Sequence, residues 1–248
     1  MDTPTDSPIA VEGLRKSFGE QVVLDGITFH LACAQVTCIL GRSGSGKSVL
    51  LKLLMGLEKC DAGSIRLLGL DVVDSPIPKL NEVRKKIGFL FQNAALYDSM
   101  SIEQNVEFPL LRHLKQSRGE RRERVRQVLA SVGLEHDLDK LPAAISGGMK
   151  KRVGLARALA LEPSAVLFDE PTAGLDPISA AEIARLIIDL RDKQRITCLV
   201  VTHDLHTARS IADRLIVLDS GKVSFDGDFG QLKSSTNPFI IQYLKDAA

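Results

Sequence analysis

The sequence predicts an α/β fold in which a mainly parallel sheet is covered by helices. Short β-branched runs alternate with longer stretches of helical spacing. The runs Val36-Thr37-Cys38-Ile39-Leu40, Ala165 to Phe168 and Ile196 to Thr202 are apolar without interruption, the pattern of strands buried on both faces. A glycine-rich turn follows the first of these runs and opens into a helix.

Taken in order, Val11-Glu12-Gly13-Leu14 and Gln21-Val22-Val23-Leu24 flank a turn-like Lys16-Ser17-Phe18-Gly19 and predict a hairpin at the edge of the fold. Val36 to Leu40 is the first core strand. Ser48 to Met55 is a helix closed by Gly56. Gly88-Phe89-Leu90-Phe91 is a further apolar run, with Gln92 at its end. Between about 93 and 160 the strand runs disappear and charge rises, which predicts a helical insertion. Within it, residues 119–133 place Val125, Val128, Leu129 and Val132 on one face. The seven Lys or Arg between Arg112 and Arg126 form either a solvated helix face or an anion-binding surface. Asp176 before Pro177 reads as an N-cap with proline at the first helical position. The helix that follows carries Ile183, Leu186, Ile187 and Leu190 at core spacing. Leu215 to Leu218 and Val223 to Phe225, around Asp219-Ser220-Gly221, form a second hairpin, and a short helix ends the chain.

Composition narrows the functional classes. The 248 residues carry a net charge of +1, against the basic excess of a general nucleic-acid binder. With 44% hydrophobic and 25% charged residues the chain is not a disordered one. No apolar run reaches the ~18 residues of a membrane span. Met1 to Pro8 is polar and acidic, without the basic and apolar regions of a signal peptide, so a cytoplasmic protein is expected. The spacing of Cys33, Cys38, Cys60 and Cys198 fits neither a zinc site nor a redox pair. Cys33, Cys38 and Cys198 read as small buried hydrophobes.

Gly41-Arg42-Ser43-Gly44-Ser45-Gly46-Lys47-Ser48 matches the phosphate-loop pattern in full, between a buried strand and a helix. Glycines let backbone N–H groups turn onto phosphate oxygens, and the helix N-terminus adds positive partial charge. Lys47 supplies a cation for the β- and γ-phosphates, Ser48 a hydroxyl for Mg²⁺, and Val49 continues the loop into the helix. Leu167-Phe168-Asp169-Glu170 ends a buried strand in two carboxylates: Asp169 for Mg²⁺ and Glu170 as general base toward a water. Ser146-Gly147-Gly148-Met149 precedes a helical pattern. It is either a helix cap or a second anion-binding nest. As a nest it would be redundant within one chain, but it can cap the nucleotide of a second copy in a twofold pair.

Together these motifs resemble the ATP-binding-cassette ATPases, in family order and over nearly the whole chain. The resemblance implies a P-loop NTPase fold: a RecA-like core with a mainly parallel sheet, an antiparallel β edge subdomain and an inserted helical subdomain. It implies one domain over 1–248, with core and β subdomain in 1–92 and 162–248 and the signature-bearing helical subdomain in 93–161. It further implies that Gln92 is the Q-loop glutamine, touching Mg²⁺ and the attacking water. His203 would be the switch histidine on the γ-phosphate, and Asp176 would belong to a D-loop along the dimer seam. Phe18 falls where an aromatic stacks on adenine; the alternative is a hydrophobe at the hairpin tip. The implied activity is ATP hydrolysis with ATP and Mg²⁺ in a homodimer that powers an integral membrane permease, peripheral on the cytoplasmic face of the inner membrane. No nucleic acid is implied as a partner. Leu96, Tyr97, Met100, Val106 and Phe108 would form the permease-docking groove or, alternatively, subdomain core. The segments ISGGMKKRVGLARALA and FQNAALYDSMSIEQNVEFPLLRH are similar to the Mla/Mce-type ATPases, which implies phospholipid transport with a periplasmic Mce-type lipid-binding protein as an indirect partner. A different cargo (amino acid, metal or lipoprotein) and a soluble cassette acting on DNA or ribosomes are the alternatives. The short C-terminus argues against a tail-swapped dimer.

Overall fold

A computed structural model describes residues 7–246; residues 1–6, which hold most of the polar N-terminal stretch, and residues 247–248 lie outside the described residues. Two sheets organise the chain. The larger has six strands in the order β10-β9-β3-β8-β7-β6, from β3 (Val36–Gly41), β6 (Ile87–Leu90), β7 (Ala165–Asp169), β8 (Thr197–Thr202), β9 (Arg214–Asp219) and β10 (Lys222–Gly227). All neighbours are parallel except the edge hairpin β9/β10.

The uninterrupted apolar runs have a direct structural cause. Residues alternate between two faces, and both faces are covered. Val36, Cys38 and Leu40 point to one core with Phe168, Val200 and Val217. Ile39 points to the other with Leu167, Leu199, Val201 and Ile216. The first face packs against α5 (Gly147–Leu159), α6 (Pro177–Gln194) and α7 (Leu205–Ile211). The second packs against α1 (Lys47–Leu54) and the smaller sheet.

That smaller sheet is antiparallel, in the order β2-β1-β4-β5. Strands β1 (Ile9–Phe18) and β2 (Gln21–His30) form the expected hairpin, but its turn is shorter than predicted. Phe18 pairs with Gln21, so Lys16, Ser17 and Phe18 stay in the strand and only Gly19 and Glu20 turn. The bend falls at Gly19, whose φ of +59° is left-handed. Strands β4 (Ala62–Leu67) and β5 (Leu70–Asp71) and the helix α2 (Ile77–Arg84) went unpredicted. β4 offers only Ile65 and Leu67 to the core, β5 is two residues long, and α2 buries only Leu80.

Between Ile102 and Leu159 the described residues hold three α-helices and no strand, with α3 (Ile102–His113) and α4 (Arg118–Ser131) before α5. Capping boxes start α3 at Ser101/Gln104 and α4 at Ser117/Glu120. Three of the seven basic residues of the run, Arg121, Arg122 and Arg124, pair within the subdomain. Arg121 meets Glu107 at 2.9 Å, Arg122 meets Glu103 at 3.2 Å, and Arg124 donates to the Leu159 and Ala160 carbonyls that end α5. Of the groove candidates, Val106 is fully buried core and Leu96 packs against it. Met100 is half-buried. Tyr97 is exposed, with its ring 5.0 Å from that of the half-buried Phe108. Cys38 and Cys198 are buried as expected, whereas Cys33 is exposed, because it lies between β2 and β3 rather than within a core strand. The chain closes with α8 (Phe229–Lys233) and α9 (Pro238–Asp246), the second of which buries Ile240 and Tyr243. No helix among the described residues is long and apolar enough to cross a membrane.

Candidate functional site

Because β3, β6, β7 and β8 run parallel, their C-terminal ends share one sheet edge, where ligands of open α/β sheets collect. The phosphate loop, Gln92, Asp169-Glu170 and His203 follow those four ends. A cleft of about 960 Å³ opens there. Of the residues singled out in the sequence, Phe18, Gly41, Arg42, Ser43, Gly44, Gly46, Lys47, Ser48, Val49, Gln92, Glu170 and His203 line it, whereas Ser45 and Asp169 do not. Val23, Asp204, Leu205, Tyr243 and Asp246 line it as well and were not anticipated. Tyr243 and Asp246 come from α9, and Asp246 meets Arg42 at 2.6 Å. Phe18 is 47% exposed at the cleft mouth, with the Lys16 ammonium over its ring 4.8 Å from the centroid.

The loop geometry follows from its glycines. Gly46 is the N-cap of α1 with φ +95°, and a Cβ there would come within 2.7 Å of Leu24. Only glycine lets the loop lie this close to β2. At the other end of α1, Gly56 donates to the Leu53 carbonyl and Leu57 to that of Lys52, a Schellman closure. Lys47 is buried, and its Nζ donates to the carbonyls of Gly41 at 2.8 Å and Arg42 at 3.0 Å. The amine is therefore folded back over the loop that it would share with phosphate. Burial lowers its pKa, while Glu170 and Asp169 oppose that shift. Ser45 Oγ is shielded from solvent, packs beside Gly41 and has no hydrogen-bond partner among the described residues.

Ser48 Oγ donates to Asp169 Oδ1 at 3.2 Å. Two hard oxygen donors so close, beside a phosphate loop, fit Mg²⁺, which takes one or two protein oxygens and fills its octahedron with phosphate and water. Burial raises the Asp169 pKa, and the Ser48 hydrogen bond is the first opposing effect.

Glu170 is buried, and its carboxylate is held on both oxygens. Thr202 Oγ1 donates to Oε2 at 3.0 Å, and His203 Nδ1 lies 2.9 Å from Oε1. Its backbone is left-handed, with φ +48°. That conformation is unfavourable for a residue with a Cβ and persists only where surroundings enforce it. Thr202 escaped sequence reasoning because it looks like one more strand residue.

Two basic residues of α5 also escaped notice. Lys151 is buried and donates from Nζ to the Glu170 carbonyl at 2.9 Å. Burial pushes its pKa down to about 8, against the pull of Asp169 and Glu170. Arg157 donates to the carbonyls of Ala94 and Ala95, both at 2.7 Å, just beyond Gln92. Both alanines are left-handed, with φ +57° and +49°, so the guanidinium fixes a turn that the local sequence does not favour. A basic residue on a helix next to glycine-rich motifs was the available signal, but the sequence does not say which carbonyls it meets.

Ser146, Gly147, Gly148, Met149 and Asp176 do not line this cleft. Ser146 caps α5 by accepting from the Met149 N–H at 3.2 Å. Gly148 lies against α6, where a Cβ would come within 2.9 Å of Ser179 Oγ. Asp176 caps α6 through the N–H groups of Ile178 and Ser179, and the Ser179 hydroxyl holds its carboxyl below the usual range. The segment Ser146 to Met149 and the Asp176 cap therefore form one packed unit apart from the chain's own phosphate loop.

With this geometry established, similarity to known proteins is specific. The ABC transporter family model matches residues 24–173. The probable ribonucleotide transport ATP-binding protein mkl of Mycobacterium tuberculosis is 41% identical over 241 residues, covering 97% of this chain and 67% of that one. The methionine import ATP-binding protein MetN of Brucella abortus is 40% identical over 245 residues, covering 97% of this chain and 66% of that one. Among solved structures, the dimeric post-hydrolysis state of the ATP-binding cassette MJ0796 with ADP and Pi superposes with TM-score 0.81 at 32% identity, covering 89% of this chain and 98% of that chain. The cassette cbiO1 of Clostridium perfringens, part of the ABC transporter complex cbiONQ, superposes with TM-score 0.85 at 31% identity, covering 97% and 96%. The chain belongs to the ABC transporter family and is one of its ATP-binding, ATP-hydrolysing cassettes.

Proposed function

We propose that two copies of this chain bind two ATP·Mg²⁺ at a shared twofold seam and power a membrane permease that moves phospholipid in the cell envelope. The observation that carries the catalytic part is Glu170: a carboxylate at the sheet edge, oriented on both oxygens by Thr202 and His203 beside the phosphate loop. Lys47 and the loop amides bind the β- and γ-phosphates, and Phe18 stacks on adenine. When bound, Mg²⁺ neutralises phosphate charge, with Ser48, Asp169 and Gln92 as its protein neighbours. Glu170 takes a proton from the attacking water, and Gln92 and His203 orient the water and the γ-phosphate.

Ser146, Gly147 and Gly148 supply the far side of the nucleotide to the other copy, with Asp176 along the seam. Their position outside the chain's own cleft supports this, as does the dimeric state of the similar cassette MJ0796. ATP then closes the dimer, because its γ-phosphate is contacted from both copies only in the closed state, and hydrolysis loosens it. The segment 93–161 acts as the permease-facing arm, with Tyr97 and Phe108 the accessible part of its docking surface and Leu96 and Met100 beside them. The remainder, 1–92 and 162–248, is the catalytic core with its β subdomain. The complex sits on the cytoplasmic face of the membrane.

The lipid cargo rests on the segments 91–113 and 145–160, whose Met149 and flanking residues are similar to Mla/Mce-type ATPases; a periplasmic Mce-type protein would be the indirect partner. Likeness to MetN favours amino-acid import as the second reading. Purification of the intact complex from detergent-solubilised membranes, with lipid extraction, separates them. Co-purification of a permease carrying bound phospholipid is expected, and recovery of an amino-acid permease would overturn the lipid reading.

A further inference from the structure

We propose that Lys151 is a positioning residue for hydrolysis: from the signature helix α5 it holds the Glu170 peptide in the conformation that aims its carboxylate. The inference rests on the reading of Glu170 as general base and extends it to a residue outside the cleft.

Lys151 lies one turn after the signature segment, buried within the fold. Lysine is almost never buried without a purpose for its charge. Yet Lys151 makes no ion pair within 4.0 Å among the described residues. Its amine instead donates to a main-chain carbonyl, that of Glu170, at 2.9 Å. The same carbonyl accepts the Ala173 N–H at 3.2 Å, while the Glu170 N–H donates to Val201 at 2.9 Å. Three elements thus grip one left-handed peptide: β8, the turn after β7, and α5. A left-handed glutamate relaxes toward an ordinary conformation when such a grip is released, and relaxation re-aims the side chain. A shift of about 1 Å at a general base is enough to cost a large factor in rate.

The consequence reaches beyond one site. The glycines Gly88 on β6 and Gly154 on α5 bring this helix close to the core: Cβ atoms there would come within 2.9 Å of the Ala158 carbonyl and of Leu90, respectively. A tightly seated helix moves as a unit. Its N-terminal end carries Ser146 to Gly148 toward the other copy's nucleotide, and its second turn holds its own chain's base.

The test uses the full chain with Lys151→Met, Lys151→Arg and Glu170→Gln. Steady-state turnover, KM for ATP, nucleotide Kd and thermal melting are measured in parallel. Lys151→Met is expected to lower kcat at least tenfold with KM and Kd within threefold of wild type, and Lys151→Arg to recover turnover to within threefold. The proposal is overturned if folded Lys151→Met keeps kcat within twofold of wild type. It is also overturned if both Lys151 variants lose kcat, affinity and melting temperature together, which is simple loss of packing. If Lys151→Met does not fold, Lys151→Gln replaces it under the same criteria. Glu170→Gln separates the two readings: if it hydrolyses ATP normally the general-base assignment fails, whereas an inactive Glu170→Gln beside a fully active Lys151→Met sinks the Lys151 proposal alone.

Discussion

His203 Nδ1 lies 2.9 Å from Glu170 Oε1, so the imidazole is within hydrogen-bond reach of the carboxylate. With Thr202 on the other oxygen, Glu170 is aimed by two neighbours from the end of β8. His203 is itself exposed at the cleft, free to turn between Glu170 and a phosphate. His203→Ala is expected to lower kcat about 100-fold, within the range for loss of a positioned proton-handling group. Nucleotide Kd should change less than threefold, and paired turnover and binding measurements check the split.

Lys47 is already bonded to the carbonyls of Gly41 and Arg42, which sets its position over the loop. Its removal deletes a charge-assisted phosphate contact worth about 1.5–3 kcal/mol. Lys47→Ala should therefore weaken ATP binding about 10- to 100-fold by titration calorimetry, and AMP binding little.

Gly46→Ala meets two obstacles: φ is +95° and the new Cβ would come within 2.7 Å of Leu24. The cost is about 2 kcal/mol, seen in thermal unfolding as a fall in Tm of about 4–8 °C. Gly44→Ala has no comparable clash, only φ +80°, and should cost less.

Arg157→Met strips the donors from the left-handed Ala94 and Ala95 carbonyls. A loss of about 2 kcal/mol is expected, with faster amide exchange concentrated in residues 91–97.

The buried thiols make the fold sensitive to alkali. Burial raises the pKa of Cys198 to about 12 and also raises that of Cys38. The unfolded chain releases these protons at lower pH than the folded one, so from about pH 9 upward the folded state binds more protons and stability falls with pH. Replacing both with Ala should flatten the stability profile from pH 9 to 11 in urea titrations.

What the sequence disclosed and what it withheld have physical causes. The core strands were legible because Val36 to Leu40 and Ala165 to Phe168 are buried on both faces, which leaves an uninterrupted apolar run. The phosphate loop was legible because its backbone geometry needs glycine at fixed positions. Strand β4 was not, because only Ile65 and Leu67 face its core. The turn at Gly19 was placed too early, because strand β1 continues through the polar Lys16 and Ser17. Lys151, Arg157 and Thr202 stayed hidden for a common reason: each acts on a partner at least 19 residues away. Periodicity and local spacing carry no trace of such contacts. The same holds for Asp246, which reaches Arg42 from the far end of the chain.

The most direct test of the two-copy, Glu170-dependent mechanism is the behaviour of Glu170→Gln with ATP and Mg²⁺, followed by mass-resolved sizing alongside phosphate release. The account predicts a stable dimer holding two ATP, with turnover below about 1% of wild type, consistent with loss of a general base. A variant that hydrolyses ATP at the wild-type rate, or that binds ATP and remains monomeric, contradicts it.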